Sequence, residues 1–298
     1  MGIDAVPIEP PDYVFNSSNE CDRLERQAAL QGIERHLRHF RLQPGARVLD
    51  AGCGSGAIAR LLAAHHPAAE IVGVDVNPEY VAYARNLAAR QGLRNLTFET
   101  RDLGASQLAD ASFDVVWSHQ VLFFLPSPDT ALRELRRILR PGGVLLVALH
   151  ESSLLTNHPE DGELQARLER VLPRLADVRL ARKLPLMFRV AGFQDVSASA
   201  EMDAIYTTIG RISPEQRRNV EEILTPALPR IGEVLGSLEQ AKTFLADLLA
   251  YLDRPDTCSY TMLWVVRGVA PSGSPIRRAP MCHGWREVGA RLSYRSKG

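Results

Sequence analysis

The chain has 298 residues with 35 basic and 35 acidic side chains, so its formal net charge is zero, and 45% of its residues are hydrophobic. This composition is typical of a globular protein with a core, and the neutral balance excludes the basic field with which many proteins attract nucleic acid. Four scattered cysteines without a CxxC pair exclude a zinc site of the usual spacing and indicate a reducing compartment.

Neither a secretion signal nor a membrane span is expected from the sequence. The first eleven residues lack a basic stretch followed by an apolar one. The longest uninterrupted apolar run, 144–149, has the length of a strand and is far too short to cross a bilayer. We therefore expect a cytoplasmic protein.

Residues 1–45 are predicted to be proline-rich and irregular at first and then helical. The helix is expected to begin at Ser17, because Ser17 and Glu20 have the spacing of a capping box and apolar residues then recur at helical intervals.

Residues 46–150 alternate short apolar runs with amphipathic segments. Strands that alternate with helices favour a parallel sheet built from βαβ units. The helix before the last of these strands is expected to end at residues 141–143, Pro-Gly-Gly. The predicted strands are 47–50, 71–75, 96–100, 113–117 and 144–149.

The remaining chain is predicted to complete the sheet and to cover its open end. Strands are expected at 193–199 and 260–266, and helices at about 164–178 and 212–252, the second broken by Pro226 and Pro229. The expected organisation is a core at 46–270, with helical cap insertions at about 152–190 and 203–256, and a basic, disordered tail at 271–298.

A glycine-rich turn follows the first predicted strand, in the run Asp50-Ala51-Gly52-Cys53-Gly54-Ser55-Gly56. Glycines allow a tight turn against which a ligand can press, and the next helix offers free N–H groups. In an open parallel sheet, ligands bind beyond the carboxyl ends of the strands. The turn therefore predicts a ligand site, and Asp50 suits a cationic group within it.

Acidic and apolar residues follow the next two strands. Asp75 ends the second strand and suits the hydroxyls of a ribose. Asp102 follows the third strand and suits an exocyclic amine such as that of adenine. Val76 and Leu103 are placed to sandwich a ring. Together with the two aspartates, they predict an adenosine-like ligand.

These segments resemble the motifs of class I S-adenosylmethionine-dependent methyltransferases. The matching runs are 48–56, 73–75, 113–118 and 139–143, and the nearest subgroup is that of ubiquinone-biosynthesis and bacterial small-molecule methyltransferases. The resemblance implies an α/β fold, a doubly wound Rossmann-like seven-stranded sheet with an antiparallel last strand. It also implies S-adenosylmethionine as cofactor and methyl transfer to an O, C or N atom of a small-molecule acceptor, a biosynthetic intermediate.

The same resemblance implies that residues 1–45 are an N-terminal lid segment and helix. It also implies a set of cofactor-binding residues, including an aromatic and a polar residue of this lid that close over the methionine end. That set is Tyr13, Gln27, Asp50, Ala51, Gly52, Cys53, Gly54, Ser55, Gly56, Asp75, Val76, Asp102, Leu103, Ser118 and His119.

His119 and His150 each follow a predicted core strand at the ligand end. A histidine there can act as a general base, because its ordinary pKa lies near neutrality. Each can equally be a hydrogen-bonded wall residue. Both interpretations stay open, and no residue spacing indicates a metal site.

Three other functions remain compatible with parts of the pattern. A dinucleotide-dependent oxidoreductase shares the glycine-rich turn, but Asp50 would repel a pyrophosphate. A methyltransferase-like protein that keeps the cofactor for another reaction, such as a cyclisation, would carry the same motifs. A non-enzymatic binding protein is the third.

No nucleic-acid partner is expected, and the oligomeric state stays open.

Overall fold

The computed structural model describes residues 19–152 and 154–272, and a seven-stranded sheet lies at its centre. The strand order is β3–β2–β1–β4–β5–β7–β6. In chain order the strands are β1 Arg47–Ala51, β2 Glu70–Asp75, β3 Leu96–Thr100, β4 Phe113–His119, β5 Leu139–Glu151, β6 Gln194–Met202 and β7 Met262–Val269.

Six strands of the sheet run in the same direction, and the last strand in the chain runs in the opposite direction. β1 pairs in parallel with β2 on one side and with β4 on the other, so the strand order reverses at β1. β7 lies antiparallel between β5 and β6. The expected doubly wound, Rossmann-like sheet with an antiparallel last strand is confirmed.

Eight α-helices and several short 3₁₀ helices surround the sheet in the part of the chain that the structure describes. The α-helices are α1 Glu20–Gln31, α2 Ala57–His65, α3 Pro78–Arg90, α4 Pro128–Ile138, α5 Gly162–Leu175, α6 Leu184–Val190, α7 Pro214–Leu235 and α8 Leu238–Leu252.

Both faces of the sheet are buried at β1, β2, β4 and β5, which explains why these strands are apolar at successive positions rather than at alternate ones. Leu49 packs on one face with residues of α4 and α6. Its neighbour Val48 packs on the other face with residues of α2 and α3. Both side chains are fully buried.

Helices α5, α7 and α8 form a cap with a core of its own. Leu168, Leu224 and Phe244 lie at its centre and are almost completely buried. Three two-residue strands, Asn157–His158, Thr208–Ile209 and Cys258–Ser259, pair in a small second sheet. The expected helical cap is therefore present.

The long helix of the cap does not break where its prolines predicted. Pro226 and Pro229 both lie inside α7, and the chain turns only at Gly236, which has a φ of 112°. Each internal proline removes a backbone hydrogen bond. The buried packing of the α7 side chains Leu224 and Ile231 offsets this loss.

Two other boundaries differ from the expected ones. α1 begins at Glu20, and Asn19 is its N-cap. The Glu20 carboxylate accepts two hydrogen bonds from Arg23, an interaction that the predicted capping box does not include. β5 begins at Leu139, directly after α4, so residues 141–143 lie within the strand. Its pairing with β4 and β7 outweighs the local preference of Pro-Gly-Gly for a turn.

Part of the sequence-based description falls beyond the described residues. Ser17, Tyr13 and the basic stretch 273–298 lie outside them. The domain boundaries stay a prediction. Among the described residues, no helix has both the length and the apolarity needed to cross a membrane.

Candidate active site

A cavity of about 710 Å³ opens beyond the carboxyl ends of β1 to β4. Its volume lies within the range of small-molecule sites. The loops that follow these four strands form its floor, α1 covers one side, and Leu175 and Arg230 reach it from the cap. The strand order therefore brings together segments that lie far apart in the sequence.

The glycine-rich turn forms the part of the floor next to β1. The backbone N–H groups of Gly52 and Cys53 both donate to the carbonyl of Val74, which ties the turn to β2. Gly52 has a φ of 79°, and a Cβ added there would lie 2.3 Å from Cγ2 of Val121. Only glycine fits this position, because the turn passes so close to the loop after β4.

Asp75 joins the two loops that follow β1 and β2. One carboxylate oxygen accepts the backbone N–H of Gly54 at 2.9 Å, and the other accepts that of Asn77 at 3.0 Å. Burial raises the pKa of Asp75, while these hydrogen bonds act in the opposite direction. A carboxylate oxygen accepts more than one hydrogen bond, so Asp75 keeps acceptor capacity toward the cavity that it lines.

Asp50 lines the same cavity from the end of β1 and is 2% exposed. Its Oδ2 atom is buried and has no hydrogen-bond partner among residues 19–152 and 154–272. Burial raises the pKa of Asp50 to about 7, and the nearby charge of Asp75 adds to the shift. A cation in the cavity would satisfy this carboxylate.

An Asp50→Asn variant should show how much of the pH dependence of the free energy of unfolding is caused by Asp50. Because the folded-state pKa is raised, Asp50 contributes stability below its unfolded pKa, and this contribution is lost as the pH rises through about 7. We expect the free energy of unfolding of the wild type, relative to the variant, to fall by about 2–3 kcal/mol between pH 5 and pH 8. Urea denaturation at several pH values measures it, and a constant difference would contradict the burial argument.

Residues after β3 complete this side of the cavity. Asp102 accepts the backbone N–H of Gly104 at 2.7 Å. Val76 and Leu103 line the cavity beside it, and Leu103 is 6% exposed. The predicted residues Gly52, Cys53, Gly54, Ser55 and Gln27 line it as well.

His119 and Gln120 form the wall at the end of β4. Burial lowers the pKa of His119 to about 3, so the imidazole is neutral at physiological pH. Nε2 of His119 and Nε2 of Gln120 are both buried without a hydrogen-bond partner in the described part of the chain. The other amide atom of Gln120 accepts the backbone N–H of His150 at 3.3 Å, which orients the amide.

Four predicted site residues in the described part of the chain do not line the cavity, namely Ala51, Gly56, Ser118 and His150. His150 instead forms a 3.0 Å contact through Nε2 with Asp203, so it is held by a hydrogen bond outside the cavity lining. Ser118 is fully buried and donates to the carbonyl of Ala51. A Cβ on Gly56 would meet Phe98 in the core, and Gly56 therefore shapes the turn rather than the wall.

Several cavity residues carry no motif that sequence reasoning recognises. They come from α1, from the loop after β4 and from the cap, and their helical or apolar pattern only predicted burial. The distant pairings that place them in the wall have no local sequence signal. They are Leu24, Ala28, Gln31, Phe124, Leu125, Leu175 and Arg230.

Comparisons with known proteins find relatives for part of this chain. A malonyl-[acyl-carrier protein] O-methyltransferase from Herminiimonas arsenicoxydans is 38% identical over 161 residues, which are 53% of this chain and 56% of that protein. A sterol 24-C-methyltransferase from Gibberella zeae is 31% identical over 164 residues, which are 54% of this chain and 41% of that protein. The chain thus spans about half the length of the curated relatives it matches.

A solved structure shares the fold over most of its length. The structure of the [4+2]-cyclase SpnF superposes with a TM-score of 0.55 at 24% identity, and the match covers 83% of both chains. The family model described as "Methyltransferase domain" matches residues 42–192, just over half of the 298 residues. This chain belongs to the methyltransferase-domain family.

Proposed function

We propose that this protein is a methyltransferase that uses S-adenosylmethionine and acts on a small molecule. The observation that carries the proposal is the placement of Asp50, Asp75 and Asp102 at the carboxyl ends of three adjacent strands, in one cavity. Their order fits an amino-acid end with an ammonium near Asp50, ribose hydroxyls at Asp75 and an adenine amine at Asp102. Membership of the methyltransferase-domain family supports the same assignment.

The buried Asp50 also discriminates between cofactors. Its unpartnered Oδ2 suits a cationic ligand, and a pyrophosphate at this position would be repelled by the carboxylate. Asp75 already orders the turn through Gly54, so ligand binding would need little rearrangement there. These features favour S-adenosylmethionine over a dinucleotide.

Bound in this cavity, S-adenosylmethionine would supply an electrophilic methyl group on its sulfonium. The main task of the protein is then to align the acceptor and to exclude water. Helix α1 covers the cavity and is tied down by ion pairs of Arg26 with Glu222 on α7 and of Glu25 with Arg60 on α2. We propose that the low pKa of His119 makes it a weak base that orients the acceptor through a hydrogen bond.

The acceptor does not follow from the likeness to known proteins. One relative is named as a malonyl-[acyl-carrier protein] O-methyltransferase and the other as a sterol 24-C-methyltransferase. Each match covers only about half of the relative. The fold is also that of a [4+2]-cyclase, so a reaction without methyl transfer is the second candidate. Transfer of an isotope-labelled methyl group to an acceptor distinguishes the two.

Calorimetric titration of the full chain with S-adenosylmethionine, and separately with NAD, tests the cofactor. We expect a micromolar dissociation constant for S-adenosylmethionine and no measurable binding of NAD. Binding of NAD alone, or of neither compound, would contradict the proposed function. Screening of acceptors with labelled methyl follows a positive result, and cofactor binding without any transfer would favour the cyclase-like alternative.

A further inference from the structure

Arg230 is an unpaired cation in the wall of the cavity. It lies on α7 of the cap, and no ion pair or hydrogen bond of its guanidinium occurs among residues 19–152 and 154–272. Two other arginines of the same helix do have partners, since Arg218 donates to Glu222 at 2.8 Å and Arg217 lies 3.7 Å from Glu221. Arg230 therefore presents five N–H donors to the cavity without a protein acceptor.

Arg230 reaches the cavity from the cap, whereas the three carboxylates reach it from the sheet. Asp50 and Asp75 lie in β1 and β2, and Asp102 follows β3. The cap meets the loop after β4, on the other side of β1, because Phe124 packs against the buried cluster of the cap. Arg101 also lines the cavity on the side of β3, but its guanidinium donates to Glu99. The unpaired positive charge therefore lies at the cap end, opposite the carboxylates at the end proposed for the cofactor.

The wall contributed by the cap and by the loop after β4 is otherwise largely apolar. Phe124, Leu125 and Pro126 line it from the loop, and Leu175 lines it from the end of α5. An apolar ligand body would bury its surface against these side chains. A guanidinium in such a place binds a carboxylate or phosphate strongly, because planar bidentate hydrogen bonds and charge act together.

We propose that the methyl acceptor carries an anionic group, a carboxylate or a phosphate, on an apolar body, and that Arg230 binds the anion. This rests on the proposed function, because that function assigns the acidic end of the cavity to the cofactor. The Nε2 donor of Gln120 is an additional group that an acceptor oxygen can satisfy.

Binding of simple anionic probes tests the proposal with the full chain saturated by S-adenosylhomocysteine, so that no transfer occurs. Octanoate, octyl phosphate and octanol are titrated calorimetrically. We expect at least one of the two anions to bind at least about tenfold more tightly than octanol, as a charge-assisted hydrogen bond predicts. The stronger anion then identifies the source as a carboxylate or a phosphate.

Two arginine variants show whether Arg230 causes the preference. Arg230→Gln should lose the anion preference and keep its affinity for octanol, and Arg230→Lys should keep part of the preference. Arg218→Gln, an equal change at an exposed position of the same helix, should behave like the wild type. An unchanged affinity for S-adenosylhomocysteine shows that each variant is folded.

Three results would overturn the inference: equal binding of the three probes to the wild type, no binding of any of them, or a preference that survives in Arg230→Gln. The cofactor titration keeps this failure separate from that of the proposed function. Binding of S-adenosylhomocysteine without an anion preference removes only the inference. Absence of S-adenosylhomocysteine binding removes the proposed function, and an Arg230-dependent preference measured without it would still support an anion site.

Discussion

The Asp75→Ala variant should bind S-adenosylmethionine at least about 100-fold more weakly than the wild type. Two hydrogen bonds from ribose hydroxyls to a carboxylate contribute about 1.5–3 kcal/mol each, and tenfold in affinity corresponds to about 1.4 kcal/mol. The change also removes the acceptor for the N–H groups of Gly54 and Asn77, so the turn after β1 loses its link to the loop after β2. Calorimetry at constant pH and salt measures the loss.

Two further variants distinguish the loss of the contact between Asp75 and the ribose from a general effect of removing an acidic residue. Asp75→Asn retains one acceptor oxygen and should give an intermediate affinity. Asp110→Ala removes an acidic residue that is exposed and pairs with Arg137 away from the cavity, and it should leave the affinity unchanged. An Asp75→Ala affinity within threefold of the wild type would show that this carboxylate does not contact the cofactor.

The Gly56→Ala variant should lose about 2–5 kcal/mol of folding free energy. Gly56 has a φ of 78°, a left-handed conformation that costs an alanine about 1–2 kcal/mol. The added Cβ would also lie 2.6 Å from Cζ of Phe98 and 2.8 Å from Cβ of Ala84, and overpacking of a core costs about 1–3 kcal/mol more. Urea denaturation measures the free energy of unfolding.

Gly45 offers a matched control for this substitution. It has the same φ of 78°, and a Cβ added there would meet nothing within 4 Å. Gly45→Ala should therefore show only the backbone cost, about 1–2 kcal/mol. If the two variants lose the same stability, the close approach of the turn to Phe98 does not contribute to the free energy of folding.

The two ends of the cavity carry opposite charges, and each end suits a different ligand. Three carboxylates at one end suit a cofactor with an ammonium, a ribose and an adenine, and one guanidinium at the other suits an acidic acceptor. A reversed orientation would place the anion of the acceptor beside Asp75. We therefore infer that charge, in addition to shape, contributes to which end of the cavity each ligand occupies.

The sequence predicted the strands, the glycine-rich turn and the carboxylates at the end of the cavity proposed for the cofactor, because the signals for these features are local. Continuous apolar runs indicate strands buried on both faces, and glycines next to a strand end indicate a backbone approached closely by its surroundings. Asp50 and Asp75 lie in strands, so the parallel arrangement alone brings them to the same edge. The local signals therefore predicted the parallel strands and the placement of these carboxylates, whereas the antiparallel last strand was implied by the family resemblance.

Only the tertiary structure decided the remaining features, because they depend on contacts between distant segments. Ser118 and His150 sit at the expected strand ends, but their partners Ala51 and Asp203 draw both side chains away from the cavity. The buried face of α7 keeps that helix continuous through two prolines and directs Arg230 into the cavity wall. A local pattern states which residues are apolar or flexible, whereas the packing of the cap on the sheet determines which polar groups face the ligand.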